Sequence, residues 1–190
     1  MNEKLTTHSD DQLIERTLGG QKDAFGALVR KYQNRLYNGM VQMLRNETEA
    51  EDTVQEAFIL ALTKLNTFKG NSQCYTWLYR IAYNVAVSRM RRRKPTVSIE
   101  NQEADLKLQI PDDDQPMPEA SMVKAEQAEQ LMTALNRMSD EHRHILVLRE
   151  MDEMDYSAIS EILDLPIGTV RSRLHRARLQ LKEILESMME

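Results

Sequence analysis

The chain has 190 residues, of which 41% are apolar and 29% are charged, and its formal net charge is −5. This composition suits small helical domains with much surface per buried residue, and it argues against a wholly disordered chain. The first residues lack the apolar core of a secretory signal, no stretch is apolar enough to span a membrane, and the single cysteine excludes an internal disulfide. We therefore expect a cytoplasmic protein without direct membrane insertion, metal or other cofactor.

The negative charge is distributed unevenly along the chain. Residues 1–94 carry a net charge of +5, residues 95–130 carry −7 and residues 131–190 carry −3. Residues 165–182 contain no acidic side chain, although five basic ones lie there: Arg171, Arg173, Arg176, Arg178 and Lys182. Because the local field is what meets a phosphate, this basic segment is compatible with nucleic-acid binding in spite of the acidic total.

Residues 10–94 have apolar side chains at three- and four-residue spacing, which predicts a series of helices without strands. Ser9 and Gln12 predict a capping box for a short first helix that ends at the glycine pair 19–20. An apolar stripe then predicts a second, longer helix over about 21–45.

The third predicted helix begins with a second capping box, formed by Thr48 and Glu51, and ends before a break at residues 68–72. A polar strip lies opposite its apolar side: Glu49, Asp52, Gln55 and Glu56. Solvated charge is the default interpretation of such a strip. A partner helix that carries arginines is the functional alternative, and the sequence leaves both open.

The fourth predicted helix covers about 75–92 and is stopped by Pro95. Its apolar side contains Leu78, Ile81, Ala82 and Val85, and its other side combines aromatic, amide and cationic groups: Trp77, Arg80, Asn84, Ser88 and Arg91. Such a combination suits unpaired bases and backbone phosphates. The alternative is that Trp77, Tyr79 and Tyr83 only fill a small core.

Four of the five prolines and the acidic run PDDDQP interrupt the helical pattern between Pro95 and about Ser121. This composition predicts a flexible acidic linker, and helical spacing returns with Leu131, Leu135 and Met138. The predicted fold is therefore all-α, with two small helical domains joined by the linker.

The second domain contains a helix-turn-helix, with a short helix from Tyr156, a break at residues 164–166 and a long helix from about Ile167. In the long helix four apolar residues share one sector and should pack inward: Val170, Leu174, Ala177 and Leu181. The other sides carry residues suited to base edges and phosphates: Arg171, Ser172, Arg173, His175, Arg176 and Arg178. A solvated basic helix in an ordinary bundle is the alternative.

Catalysis finds no support in the sequence, because no glycine-rich phosphate loop, nucleophile with a base or metal-ligand set is present. Two stretches instead resemble extracytoplasmic-function RNA polymerase sigma factors of the sigma-70 family. Residues 51–58 (EDTVQEAF), 68–70 (FKG) and 75–84 (YTWLYRIAYN) are similar to sigma region 2. Residues 156–162 (YSAISEI) and 166–178 (PIGTVRSRLHRAR) are similar to sigma region 4.

The resemblance implies a division of the chain into region 2 at 1–94, the acidic linker at 95–125 and region 4 at 126–190. Region 2 would bind core polymerase through Glu49, Asp52, Gln55 and Glu56, which would dock on the clamp helices of the largest subunit. Region 2 would also melt and capture the minus-ten element through these residues: Phe68, Lys69, Gly70, Asn71, Ser72, Trp77, Arg80, Asn84 and Arg91.

Region 4 would contact the flap of the second-largest subunit and read the minus-thirty-five element through Arg171, Ser172, Arg173, His175, Arg176 and Arg178. The resemblance also implies an anti-sigma factor as a partner, which could be membrane-bound. The expected function is thus that of a promoter-directing subunit and not of an enzyme. The alternative from the residues alone is a stand-alone helix-turn-helix regulator, which a pull-down on core polymerase would distinguish.

Overall fold

A computed structural model describes residues 9–93 and 119–189 of the chain. Within these two ranges every regular element is helical, which confirms the predicted all-α fold. The first range contains α1 (Asp10–Leu18), α2 (Lys22–Leu44), α3 (Glu47–Lys64), a 3₁₀ turn (Leu65–Thr67) and α4 (Cys74–Arg93). The second contains α5 (Glu119–Arg137), α6 (Asp140–Leu146), a π-helical turn (Val147–Met151), α7 (Tyr156–Leu163) and α8 (Ile167–Met189). None of the described helices is long and apolar enough to cross a lipid bilayer.

Side-chain caps fix the starts of the first and third helices. Ser9 and Gln12 form the predicted capping box, in which each side chain accepts a hydrogen bond from the other's backbone N–H. The second predicted capping box, Thr48 with Glu51, is wrong. The left-handed backbone of Arg45 (φ 54°) leaves Asn46 extended, and the Asn46 side chain caps α3 by accepting from the N–H of Glu49 at 2.9 Å.

The N-terminal bundle is built around α2, which packs against α1, α3 and α4. Leu36 and Met40 at its centre are fully buried, and burying a side chain of this size stabilises the fold by about 1.5–3 kcal/mol. Ala50, Ala57 and Ala61 make the inner side of α3 small, which allows the helices to approach closely. The fourth helix buries Leu78, Ala82 and Val85 as predicted, whereas Ile81 is only partly buried.

The C-terminal bundle surrounds a core formed by Ile145, Leu148, Ile159, Val170 and Leu174, each at most 1% exposed. Leu131, with which helical spacing returns in the sequence, is 40% exposed, and Met151 is 49% exposed. Leu135 and Met138 are buried in α5, and Met132 is buried with them in place of Leu131. Met151 is the last residue of a π-helical turn. The extra residue in that turn rotates the Met151 side chain out of the period of the preceding helix.

The predicted flexible linker, 95–125, lies mostly outside the described residues, which resume at 119. Helix α5 begins at Glu119, within the range predicted for the linker.

The two bundles pack against each other, with α4 on α7 and with α2 on α6 and the π-helical turn. Their buried apolar side chains form one contiguous cluster. Arg143, only 2% exposed, donates from Nη2 to the carbonyl of Met43 at 2.8 Å, and Arg45 donates to the carbonyl of Met138 at 3.1 Å. Each of these two arginine side chains thus reaches across the interface and binds a carbonyl at the C-terminal end of a helix in the other bundle.

Candidate nucleic-acid interface

The long helix α8 presents the side chains that were predicted to face outward. Val170, Leu174 and Ala177 are at most 1% exposed and pack into the core, while Leu181 is partly buried. The opposite side carries Ser172, His175 and Arg176, all exposed. The Nε of Arg176 lies 3.4 Å from the carbonyl of Ser172, one turn earlier, so its guanidinium is held along the exposed side of its own helix.

The other three arginines of this helix contact neighbouring groups of the same bundle. Arg178 forms an ion pair with Glu150 at 2.6 Å, and Arg173 lies 3.6 Å from Glu141. The guanidinium carbon of Arg171 lies 5.9 Å from the centre of the Tyr156 ring. A phosphate at Arg173 or Arg178 would therefore replace an existing carboxylate contact, which reduces its net gain.

The predicted base-capture face combines the loop 68–73 with the outer side of α4. Phe68 and Trp77 are both half-buried and their rings lie 5.3 Å apart at an angle of 55°, so the loop is held against the helix. Gly70 has φ 70°, a left-handed conformation that favours glycine, and it turns the loop. Six members of this set are exposed: Lys69, Gly70, Asn71, Arg80, Asn84 and Arg91.

The aromatic cluster of α4 is divided between the core and this face. Tyr75 and Tyr79 are buried, at 4% and 2% exposure, which favours the core interpretation for them. Tyr83 is half-buried and its ring meets His144 of the other bundle edge-on, 6.2 Å between centres. Of these aromatic residues, Trp77 is the one that shares the exposed face with Arg80 and Asn84.

The polar strip of α3 is not simply solvated, because Arg89 of α4 binds two of its carboxylates. Arg89 Nη2 lies 2.7 Å from Glu56 Oε2, and Nη1 lies 3.3 Å from Asp52 Oδ2. Gln55 bonds Glu51 at 3.3 Å on the same helix. Glu49 is half-buried in the first turn of α3, where its backbone N–H is capped by Asn46. The two carboxylates nevertheless keep about half of their side-chain surface exposed.

A cleft of about 760 Å³ separates the loop 70–73 from the beginning of α7. At its floor Asp152, with a side chain 5% exposed, accepts a hydrogen bond from the Tyr75 hydroxyl at 2.8 Å and lies 3.6 Å from Arg35 Nε. Burial raises the pKa of the Asp152 carboxyl, although Tyr75 and Arg35 oppose the shift. At its edge Glu161 of α7 contacts Ser72 at 3.3 Å and Arg80 at 3.6 Å.

Two family models match the chain at these faces. The model described as Sigma-70 region 2 matches residues 28–96, and the model described as Sigma-70, region 4 matches residues 128–181. The RNA polymerase sigma-H factor of Pseudomonas aeruginosa is 37% identical to this chain, over 97% of the chain and 98% of its own length. The chain belongs to the sigma-70 family of RNA polymerase sigma factors.

Relatives named as extracytoplasmic-function (ECF) sigma factors match the chain over nearly their whole length, so the chain belongs to this group. The ECF sigma factor SigW of Bacillus subtilis is 35% identical over 92% of this chain and 96% of its own, and the ECF sigma-E factor of Escherichia coli is 37% identical over 94% and 93%. The chain is thus a sigma factor that directs RNA polymerase to promoters and supports transcription initiation. The stand-alone regulator that the residues alone left open is not supported, because the N-terminal half matches sigma region 2.

Two solved structures of sigma factors resemble this one. RpoE of Bartonella quintana, in complex with the anti-sigma factor NepR, has a TM-score of 0.67 and 26% identity over 85% of this chain and 96% of its own. CnrH, in complex with the cytosolic domain of CnrY, has the same TM-score with 22% identity over 94% and 97%, which shows the shared fold.

The sequence did not predict a role for four residues of this ECF factor, each of which forms a contact between elements that are distant in sequence. Arg89 holds the acidic strip, Arg35 and Asp152 meet between the bundles, and Glu161 covers Ser72 and Arg80. The sequence signal for the Arg89 contact was a cation two residues before the predicted DNA-facing Arg91, and therefore on another side of the same helix.

Proposed function

We propose that the two bundles of this ECF sigma factor recognise two different states of promoter DNA. The N-terminal bundle, including the loop 68–73 and the outer side of α4, captures the unpaired minus-ten element. The C-terminal bundle reads the minus-thirty-five element as duplex through α8. The observation that supports the proposal is that each bundle exposes one non-core face, aromatic and amide-bearing in the first and arginine-rich in the second.

The duplex-reading face fits the major groove because a single helix there presents Ser172, His175 and Arg176 together, with cations on both flanks. Arginine can bind guanine through two hydrogen bonds, while the flanking arginines suit phosphates. The domain boundaries at 94 and 126 remain a prediction, and α5 already begins at Glu119.

The strip on α3 is proposed as the polymerase-binding surface. Asp52 and Glu56 lie one turn apart and are already organised by a guanidinium, that of Arg89. An arginine-bearing helix of the polymerase, the clamp helices in our proposal, would bind the half of each carboxylate side chain that stays exposed beside Arg89. The C-terminal bundle would contact the flap of the second-largest subunit.

An anti-sigma factor is a further proposed partner, supported by the Bartonella quintana structure in which a related sigma factor is bound to one. The proposal places the protein in the cytoplasm, where promoter DNA and polymerase are found. It assigns no catalytic reaction to this chain, because the polymerase supplies the chemistry.

Reconstitution with core polymerase tests the proposed function. The purified chain should be retained by immobilised core polymerase, and the resulting holoenzyme should give run-off transcripts from a subset of a genomic promoter library. Asp52→Asn/Glu56→Gln should weaken retention, whereas Glu183→Gln, which changes an exposed carboxylate on α8, should not. A chain that binds promoters without polymerase, and is not retained by it, would contradict the proposal.

A further inference from the structure

In the structure, Glu161 of α7 already occupies part of the outer face of the N-terminal bundle. The hydroxyl of Ser72 donates a hydrogen bond to Glu161 Oε1 at 3.3 Å, and Arg80 Nη1 lies 3.6 Å from the same oxygen. Ser72 and Arg80 belong to the residues proposed to bind the minus-ten strand. A serine hydroxyl and a guanidinium that converge on one anionic oxygen are also a common arrangement for a backbone phosphate.

The surroundings of Glu161 make this face unfavourable for a nucleic acid while the bundles are together. The turn that leads into α7 brings Asp152, Glu153 and Asp155 to the cleft in front of the loop, and Arg35 is the cation that lines it with them. The N-terminal bundle adds Asp11, and also Asp10, which is paired with Lys31 at 2.6 Å. Phosphates entering this cleft would be repelled by carboxylates at short range.

The contacts that hold the bundles together are made by residues outside the proposed DNA-binding set. Tyr75 bonds Asp152 in the floor of the cleft, and Arg143 bonds the Met43 carbonyl at the end of α2. Both contacts are buried, so they can maintain the closed arrangement independently of Glu161. In the closed arrangement Glu161 occupies Ser72 and Arg80, so single-stranded DNA cannot bind them at the same time. The affinity of the free chain for single-stranded DNA therefore decreases as the fraction of open molecules decreases.

We propose that α7 is an intramolecular competitor of single-stranded promoter DNA, in which the Glu161 carboxylate occupies the position of a backbone phosphate on Ser72 and Arg80. Free sigma factor is thereby kept from binding melted DNA until the bundles separate in the holoenzyme. The inference rests on the proposed minus-ten role of the loop and α4.

The test compares single-strand binding by the full-length chain with and without polymerase. The probe is a fluorescent oligonucleotide with the non-template sequence of a promoter that the wild-type holoenzyme transcribes. Glu161→Gln should tighten binding by the free chain about two- to five-fold, the range expected from an exposed ion pair. Glu129→Gln removes the same charge from an exposed position on α5 and should leave the affinity unchanged.

Each other outcome overturns the inference. If Glu161→Gln leaves the affinity for the oligonucleotide unchanged, Glu161 does not compete with DNA. If Glu129→Gln increases that affinity equally, the effect comes from net charge alone. A gain of the same size in the holoenzyme would show that Glu161 repels DNA without closure. Failure of the wild-type holoenzyme to use any promoter would instead count against the proposed function, which keeps the two failures distinct.

A second measurement detects the closed contact without DNA. Glu161→Lys places a cation against Arg80 and should increase amide hydrogen exchange in residues 70–76 of the free chain. Adding Arg80→Glu restores an opposite-charge pair and should restore protection. Exchange that is the same in all three proteins would show that α7 does not cover the loop in solution, and the inference would be wrong.

Discussion

The hydroxyl of Tyr75 on α4 donates a 2.8 Å hydrogen bond to the carboxylate of Asp152, which belongs to the other bundle. The Arg35 guanidinium lies over the Tyr75 ring, 4.1 Å from its centre, and its Nε is 3.6 Å from the same carboxylate. Arg35 also donates to the backbone carbonyl of Asp152. Gly39 makes this junction possible, since a Cβ there would lie 2.9 Å from the Tyr79 ring and 3.1 Å from Asp152 Oδ2.

Removing the carboxylate at this junction should destabilise the folded chain. Asp152→Ala leaves the buried Tyr75 hydroxyl without an acceptor and should lower the free energy of unfolding by about 1–3 kcal/mol. Urea denaturation followed by circular dichroism measures the loss. Glu153→Gln changes the neighbouring exposed carboxylate and should have almost no effect. Equal losses in the two variants would mean that the junction contributes no stability of its own.

His144 should make the stability of the closed chain depend on pH. Its Nε2 lies 3.3 Å from the Met43 carbonyl, and burial lowers the pKa of its imidazole below the usual value of about 6.5. The unfolded chain therefore binds a proton more readily, so stability is complete above about pH 6.5 and decreases as the pH falls toward the folded pKa. His144→Gln should flatten the melting temperature between pH 7.5 and 5.5, whereas His175→Gln, at an exposed position on α8, should retain the wild-type slope.

Asp152 should contribute a pH dependence of the opposite sign. Because burial raises the pKa of its carboxyl, the folded chain retains this proton at a pH where the unfolded chain has released it. That contribution to stability is present at low pH and decreases as the pH rises through the folded pKa. Asp152→Asn should therefore make the acid-side loss of melting temperature steeper than in the wild type. A shallower slope would contradict the assigned direction.

Local sequence patterns predicted most of the fold because helix caps and apolar spacing act over a few residues. The Ser9 capping box and the inward side of α8 followed from such rules and are present. The Thr48 box failed for a local reason as well. Asn46 is an equally good cap two residues earlier, and the left-handed turn at Arg45 decides between them.

The interface between the bundles could not be predicted, because it depends on contacts between residues far apart in the chain. The run Met151-Asp152-Glu153-Met154-Asp155 has the composition of a solvated turn. Yet Asp152 is 4% exposed and its neighbour Glu153 is exposed, since the π-helical turn directs only the first toward Tyr75. The contacts of Arg89 could not be predicted for the same reason. The sequence shows its two carboxylate partners as a strip on α3, but it does not show that α4 lies beside that strip.

Arg176 should determine sequence preference in the upstream element. Arg176→Ala in the holoenzyme should cost about 1–3 kcal/mol of binding free energy on cognate promoters and relax the preference at one upstream position. Arg178→Ala, whose guanidinium pairs with Glu150 in the structure, should weaken all promoters alike and reduce the salt dependence. Competition binding over a randomised upstream element measures both. A uniform loss in Arg176→Ala would make that residue a phosphate contact.

Trp77 should act in promoter opening more than in assembly of the holoenzyme. Its ring packs against Phe68 of the loop at an angle of 55° and shares an exposed face with Arg80 and Asn84, while the strip that we propose for polymerase binding lies on α3. Trp77→Ala should therefore leave association with core polymerase nearly unchanged and slow open-complex formation on duplex promoters, measured by permanganate reactivity. A template with a pre-melted minus-ten region should restore transcription, because the variant no longer has to separate the strands. Trp77→Phe preserves a stacking ring and should keep much of the opening rate. If the pre-melted template fails to rescue Trp77→Ala while the variant still melts at the wild-type temperature, the role of Trp77 in opening is wrong.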